Sequence, residues 1–269
     1  MRIAILGMLF AFSTTLVAPV QARPLEDIEK SGKLIIGTDG TFPPFQYFED
    51  GKLVGFEVDL GNEIAKRMHL TPEWKPIAFD TLLAGLTQDR WDIVIAALGA
   101  TPERAKVVNF TDPNFCTGAV IVATQPTIKH KNDLSGKTVS VQTGSTYFAA
   151  VEKIPGIKKI RNMSSDNDAR NAMLSGRSDA WVSDKFVARI AQQKTEDRDK
   201  KLLIGDMLFE EKSSTAVNKN NPALLEKYNR ALAELRDDGT YDAISKKWFG
   251  EDISCSAPPP DTQPLQTVK

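Results

Sequence analysis

The feature that most constrains the fold of this 269-residue chain is a unit that occurs twice: an apolar strand, a polar strand end and then a helix. Arg90-Trp-Asp-Ile-Val opens one copy and Arg177-Ser-Asp-Ala-Trp the other. In the first, Trp91 to Ala97 reads as a buried strand. Thr101-Pro102-Glu103-Arg104 follows as a helix start, with Thr as N-cap and Pro at the first helical position. In the second, Asp179 to Val182 forms the strand and Asp184 is its polar end. Strands alternating with helices require parallel sheets covered by helices. Two similar units in one chain suggest two lobes facing each other.

The remaining segments extend the pattern. Leu34 to Thr38 is a short buried strand, and Thr41-Phe-Pro-Pro-Phe45 is excluded from helix by its paired prolines. Phe56, Leu60, Ile64 and Met68 form one face of an amphipathic helix. Asp80 is expected to cap a helix carrying Leu82, Leu83 and Leu86. Lys137 to Val141 is a strand leading into Gly144-Ser145-Thr146, and a helix through Ala169 and Leu174 ends at Gly176. Asn221-Pro222 starts a helix with Leu225, Tyr228, Leu232 and Leu235 on its apolar face. Asp238-Gly239 breaks it, and Tyr241, Ile244 and Trp248 mark a second helix. After Gly250, Ala257-Pro-Pro-Pro260 and its neighbours read as a loose tail.

At the other end, Arg2, an apolar run from Ile3 to Val17 and Val20-Gln21-Ala22 have the layout of a cleavable secretory signal peptide over residues 1–22. Ser13, Thr14 and Thr15 interrupt the run, which is short for a membrane anchor. Cleavage leaves about 247 residues, enough for two medium lobes. No cysteine near the cleavage site offers a lipid anchor, and no later segment is apolar enough to span a bilayer. The expected product is soluble and free in the periplasm. Lys and Arg total 34 against 35 Asp and Glu, so there is no basic excess for nucleic acid. Cys116 and Cys255 could form one disulfide in an oxidising compartment or remain two separate buried thiols, and the residues leave both open.

The chain contains no P-loop, dinucleotide glycine fingerprint or nucleophile elbow. His69 lies at an expected helix end and His130 in a Lys-rich loop; both read as surface residues. No metal site or cofactor is implied. What remains are polar groups at strand ends, where open parallel sheets bind ligands: Asp39, Ala97 to Gly99, Arg104, Thr143 to Thr146, and Asp184. A guanidinium at Arg104 can grip a carboxylate through two parallel hydrogen bonds. Gly144-Ser145-Thr146 at a helix N-terminus favours an anion, and Asp184 suits an ammonium. Singly, Arg104 reads as a surface ion pair, Asp184 as an N-cap, and Phe42 and Phe79 as core. Jointly they describe a site for a zwitterion.

The chain resembles the type 3 periplasmic solute-binding proteins of amino-acid ABC transporters, in particular the lysine/arginine/ornithine-, histidine- and glutamine-binding members. The resemblance runs from Leu34 to Gly250. Its motifs are Gly37-Thr-Asp-Gly-Thr-Phe-Pro-Pro-Phe45, Val54-Gly-Phe-Glu-Val-Asp-Leu60, Thr101-Pro-Glu-Arg104, Phe110-Thr-Asp-Pro113, Gly144-Ser-Thr146, and Asp238-Gly-Thr-Tyr241 followed by Lys247-Trp-Phe-Gly250. It implies an α/β two-lobe (Venus-flytrap) fold, type II. Each lobe has a central, mostly parallel sheet with flanking helices, and two hinge strands join them. Lobe 1 would comprise residues 23–116 and 214–269, with a loose tail from about 251; lobe 2 would comprise 119–211. A Cys116–Cys255 bridge would tie down the tail of lobe 1. Arg104, with the N–H groups of Gly99 and Thr146, would hold the ligand α-carboxylate. Asp184 and the Ala97 carbonyl would hold the α-ammonium. Phe42 and Phe79 would sandwich the side chain, Asp39 would face its far end, and Gln142 and Tyr147 would line the second lobe's wall.

At Ala96-Ala97-Leu98-Gly99 the sequence departs from the family, which often carries hydroxyl or other polar side chains there. The pocket is expected to be roomier and less polar on that side. The resemblance implies a monomeric, non-enzymatic binding protein that delivers a polar L-amino acid to a membrane permease, with Asp39 hinting at a basic or amide side chain. Two alternatives are weighed. One is a cyclohexadienyl-dehydratase-like enzyme, which would need an acid or base in the cleft. The other is the ligand-binding component of a sensory system, docking on a separate receptor.

Overall fold

The computed structural model describes residues 22–194 and 201–255. Residues 1–21 of the expected signal peptide (1–22) and residues 256–269 of the expected tail lie outside the described residues. The chain begins with α1 (Leu25–Ser31), β1 (Lys33–Thr38), and a small antiparallel flap of β2 (Thr41–Phe42), β3 (Gln46–Glu49) and β4 (Lys52–Val54). It continues through α2 (Phe56–Arg67), β5 (Thr71–Pro76), α3 (Leu82–Thr87), β6 (Ile93–Val94), α4 (Pro102–Ala105) and β7 (Val108–Phe110). There follow β8 (Phe115–Ala123), β9 (Thr138–Gln142), α5 (Thr146–Val151), β10 (Lys159–Met163), α6 (Asp166–Leu174), β11 (Ala180–Asp184), α7 (Lys185–Gln193) and β12 (Leu203–Ser213). The chain then returns through β13 (Ala216–Asn218), α8 (Pro222–Asp237) and α9 (Thr240–Phe249).

Two five-stranded sheets result, in the orders β5-β1-β6-β13-β7 and β10-β9-β11-β8-β12. In each, the first three strands run parallel, the fourth is reversed and the fifth turns back again. The sheets therefore share one topology, β6 matching β11, which is the repeat seen in the sequence. They form the cores of two α/β lobes, the type II architecture expected.

Local chemistry accounts for most helix boundaries. The Thr101 hydroxyl accepts from the Arg104 N–H at 3.2 Å, with Pro102 in the first turn of α4. Asn221 does the same for Leu224 at the start of α8. Gly250, at φ 75°, ends α9 in the left-handed conformation that glycine adopts without strain. Two expectations are corrected. Asp80 does not cap a helix: it lies within a tight turn over Phe79–Thr81, and no side chain caps α3. The strand expected from Trp91 to Ala97 pairs only over Ile93–Val94, because Ala97 turns left-handed at φ 48° and carries the chain off the sheet.

β8 and β12 pair antiparallel from Phe115↔Ser213 to Ala123↔Leu203. At their lobe 1 end they are stitched to the loop after β6. The Ala100 N–H donates to the Lys212 carbonyl at 3.1 Å, and the Ser214 N–H to that of Leu98 at 3.0 Å. Beside this junction Phe45 stacks on Phe115 at 4.6 Å, and Phe186 of α7 packs on Phe249 of α9 at 5.0 Å. Each ring buried there contributes about 2 kcal/mol. Cys116 and Cys255 are bridged, closing a span of 139 residues, so the disulfide is the alternative realised.

Candidate functional site

Three segments of lobe 1, residues 39–42, 79 and 96–104, and one of lobe 2, residues 142–147, meet in a cleft. Its lining comprises Asp39, Phe42, Phe79, Ala96, Ala97, Gly99, Arg104, Gln142, Ser145, Thr146 and Tyr147. Nine of the ten ligand-binding residues expected from sequence are thus brought together; Asp184 is not among them. The cleft is shut, with about 10 Å³ of open space at its centre, roughly the room of one water. Across it the Gln142 amide donates to Asp39 at 2.8 Å, Arg104 donates to the Gly144 carbonyl at 2.9 Å, and Asn167 donates to the Thr41 carbonyl at 2.9 Å.

Arg104 is the sole cation in the lining. Its guanidinium also donates to the Gly99 carbonyl at 2.8 Å and lies 5.7 Å from the centre of the Phe79 ring. Burial lowers its pKa, opposed by the nearby Glu211 and Tyr147. Both of its present acceptors are backbone carbonyls, so a ligand carboxylate would exchange neutral acceptors for a charged, bidentate one. Asp39, at the exit of β1, accepts from the Thr41 hydroxyl at 2.6 Å; burial raises its pKa against the bonds from Thr41 and Gln142.

Ala97 owes its conformation to a residue that was not anticipated. The Glu57 carboxylate, fully buried at the start of α2, accepts from the Ala97 N–H at 2.7 Å. Burial lifts that carboxyl to about 8. Glu57 belongs to the quoted Val54-Gly-Phe-Glu motif, and a lone acid within an apolar helix face was the available signal.

Asp184 is fully buried behind the wall. It caps α7 by accepting from the Phe186 and Val187 N–H groups at 2.7 and 3.2 Å, and it also accepts from the Thr117 hydroxyl. The Tyr147 hydroxyl, 3.4 Å away, separates it from the cleft. Burial raises its pKa to about 6, against those bonds. The structure therefore realises the capping role that its position after a strand also allowed.

The wall beside Gly99 is neither roomier nor less polar, as the alanine-rich segment suggested. A β-carbon on Gly99 would lie 2.2 Å from Oε2 of Glu211, so that carboxylate occupies the space a side chain would fill. Glu211 accepts from the Thr146 hydroxyl at 2.8 Å. Burial raises its pKa to about 7, against bonds from Thr146 and Tyr147. A larger, open groove of about 900 Å³ lies beyond this wall and shares Arg104, Ser145 and Thr146 with the cleft. No cluster of groups able to hold a metal occurs among the described residues. No helix there is long and apolar enough to cross a membrane.

Two matched α/β lobes shut on a cleft that holds one cation and three aromatic rings define a two-lobe solute-binding protein. The chain belongs to the bacterial extracellular solute-binding proteins, family 3, whose pattern matches residues 34–251. It is 32% identical over 268 residues to the L-cystine-binding protein TcyJ of Escherichia coli strain K12, covering 94% of this chain and 100% of that protein. Among solved structures it is similar to an ancestral arginine-binding protein bound to glutamine, at 42% identity and TM-score 0.78, covering 82% of this chain and 99% of the other. It is also similar to the ancestral amino acid-binding protein AncCDT-1, a precursor of cyclohexadienyl dehydratase, at 32% identity and TM-score 0.78, covering 84% and 99%.

Proposed function

We propose that the chain captures a polar L-amino acid outside the cytoplasm by closure of its two lobes and hands it to the membrane permease of an ABC transporter. The observation that carries this reading is Arg104: a single guanidinium, packed on Phe79 and satisfied only by backbone carbonyls, facing a cleft made by both lobes. The names of the relatives, which specify cystine, arginine and glutamine, are consistent with a zwitterionic ligand. In this reading the lobes are residues 23–116 with 214–269, and 119–211, and β8 and β12 carry the two hinge crossings. The ligand parts the Asp39–Gln142 and Arg104–Gly144 contacts, then replaces them. It favours closure because the closed form binds it better. Water is excluded, which strengthens the charge pairs. Asp39 favours a basic or amide side chain. The protein acts as a monomer and as a binder without catalysis.

The test is thermal denaturation of the ligand-stripped protein against the twenty amino acids. A ligand that binds the folded state raises Tm by mass action. Arg104→Ala is expected to cost several kcal/mol of affinity, since a buried carboxylate is left unpaired. Calorimetry showing unchanged affinity in that variant removes the assignment.

One observation favours a dehydratase as a second reading. Glu211, held at about 7, could serve as a general acid, and a dehydratase precursor is structurally similar. Turnover of cyclohexadienyl acids by the purified protein decides for it; their recovery unchanged decides against it.

A further inference from the structure

Beyond the wall at Gly99 and Glu211, the groove of about 900 Å³ has no part in the cleft chemistry. Its two sides are α5 and β12. Thr146, Ala149, Ala150 and Lys153 follow the spacing of one helix face, Lys153 lying in the turn that continues α5, and all four line the groove. The two alanines create the room, since larger side chains on that face would fill it. β12 is the edge strand of its sheet and contributes the half-buried Leu208 and Phe209. Phe209 packs 6.1 Å from Tyr147 of α5 and so joins the two sides. α5 leads away from the cleft, by about 10 Å from Thr146 to Lys153. Lys153 is therefore at the lobe 2 end, and Pro102 and Pro113 of lobe 1 shut the other.

We infer that this groove is a second ligand site, for an aliphatic carboxylate of medium chain length, with its head at Lys131 and Lys153 and its chain along Ala149, Leu208 and Phe209. Charge complementarity carries the choice of ligand. Lys131, Lys153 and Lys212 all line the groove and are exposed, and among the described residues none of them meets a carboxylate. The acids of the lining are fewer in effect. Glu103 is paired with Lys106 at 3.6 Å. Glu211 accepts from the Thr146 hydroxyl, and burial lifts its carboxyl to about 7. Glu210 is left to oppose three lysines. Arg104, shared with the cleft, is already held by two backbone carbonyls. The groove therefore offers uncompensated positive charge at one end and apolar surface along its length. A small polar anion would leave Leu208 and Phe209 uncovered, and a long membrane lipid would overrun the prolines at the lobe 1 end. The volume is that of a small-molecule site.

The test is calorimetry on the ligand-stripped protein with hexanoate, octanoate, 1-octanol and octylammonium. Octanoate is expected to bind saturably and in equimolar ratio with the chain. Affinity should rise about fourfold for each methylene added to hexanoate, the worth of burying one. Octanoate should bind more tightly than 1-octanol. Replacing both lysines, Lys131→Gln with Lys153→Gln, should weaken octanoate by about tenfold, the scale of two exposed charge pairs, and leave 1-octanol unchanged. Ala149→Leu fills the groove from an exposed position; it should abolish binding of both probes and leave the amino-acid panel of the cleft unaltered. The Tm of each variant checks that it is folded. No saturable binding of octanoate overturns the inference, as does equal affinity for octanoate and 1-octanol, which makes the groove an apolar slot. Tighter binding of octylammonium assigns the groove to a cation through Glu210 and overturns it as well. So does octanoate binding that survives in Ala149→Leu, which puts the carboxylate in the cleft against Arg104. None of these outcomes depends on which ligand the cleft takes.

Discussion

β6 and β11 hold the same place in their sheets, third in each order, yet they leave those sheets differently. β11 ends at Asp184 and α7 begins at the next residue, so the aspartate is drawn back onto its own helix. After β6, the chain runs from Ile95 to Thr101 before α4 begins at Pro102. Along that loop Ala97 is left-handed with its N–H donated to Glu57, Gly99 carries no side chain, and Ala96, Ala97 and Gly99 line the cleft. The two exits thus differ: in lobe 1 the chain delays its next helix, whereas in lobe 2 the helix follows at once and its free N–H groups engage the polar residue. Lobe 1 supplies the open exit, and lobe 2 supplies the helix start at Ser145 and Thr146.

The sharpest way to break this comparison is Asp184→Ala. If Asp184 is structural, the substitution removes an N-cap and leaves the buried Thr117 hydroxyl unpaired. Chemical denaturation should show a loss of about 2–4 kcal/mol of stability. A stable variant that no longer binds ligand would return Asp184 to the site.

The next effect is on the pH dependence of the ligand-free protein. The carboxyls of Asp184, Glu211 and Glu57 sit at about 6, 7 and 8, above the unfolded values of about 4. Each holds a proton in the fold that the unfolded chain releases. Their contribution is therefore full below about pH 4 and is lost as the pH rises through 6 to 8. Exposed Asp238, held at about 2 by Arg67, opposes this only below about pH 4. Denaturation midpoints should fall from pH 5 to pH 8, and a flat profile would mean these groups are ionised in the fold.

The smallest stability effect belongs to Asp39→Ala, under about 1 kcal/mol. Its partners are Thr41, one turn away, and Gln142 across the cleft. The substitution should instead change which side chains are preferred in the amino-acid panel.

Much of this arrangement is legible in the sequence where the cause is local. Thr101 before Pro102, Asn221 before Pro222, and Arg104 two residues into its helix declare themselves in short windows. The direction Asp184 faces does not, because cap and ligand group have the same one-letter appearance. Glu211 was missed for another reason. Phe209-Glu-Glu-Lys212 looks like a solvated charge run. Only strand alternation separates Glu211, partly buried, from the exposed Glu210 and Lys212, and nothing local announces that Gly99 lies opposite. Asp80 misled in the opposite sense: a residue type suited to capping sits in a turn that makes no such bond.

The Cys116–Cys255 bridge spans the whole of lobe 2 and the return of the chain to lobe 1. Residues 116–255 are therefore an arc of a covalent ring, closed by that one bond. A protease that cuts any loop of that arc leaves two pieces still joined, each able to find its place in the sheets again. A single cut in that arc would not by itself scatter the molecule; reduction of that bond would also be needed to let the pieces part.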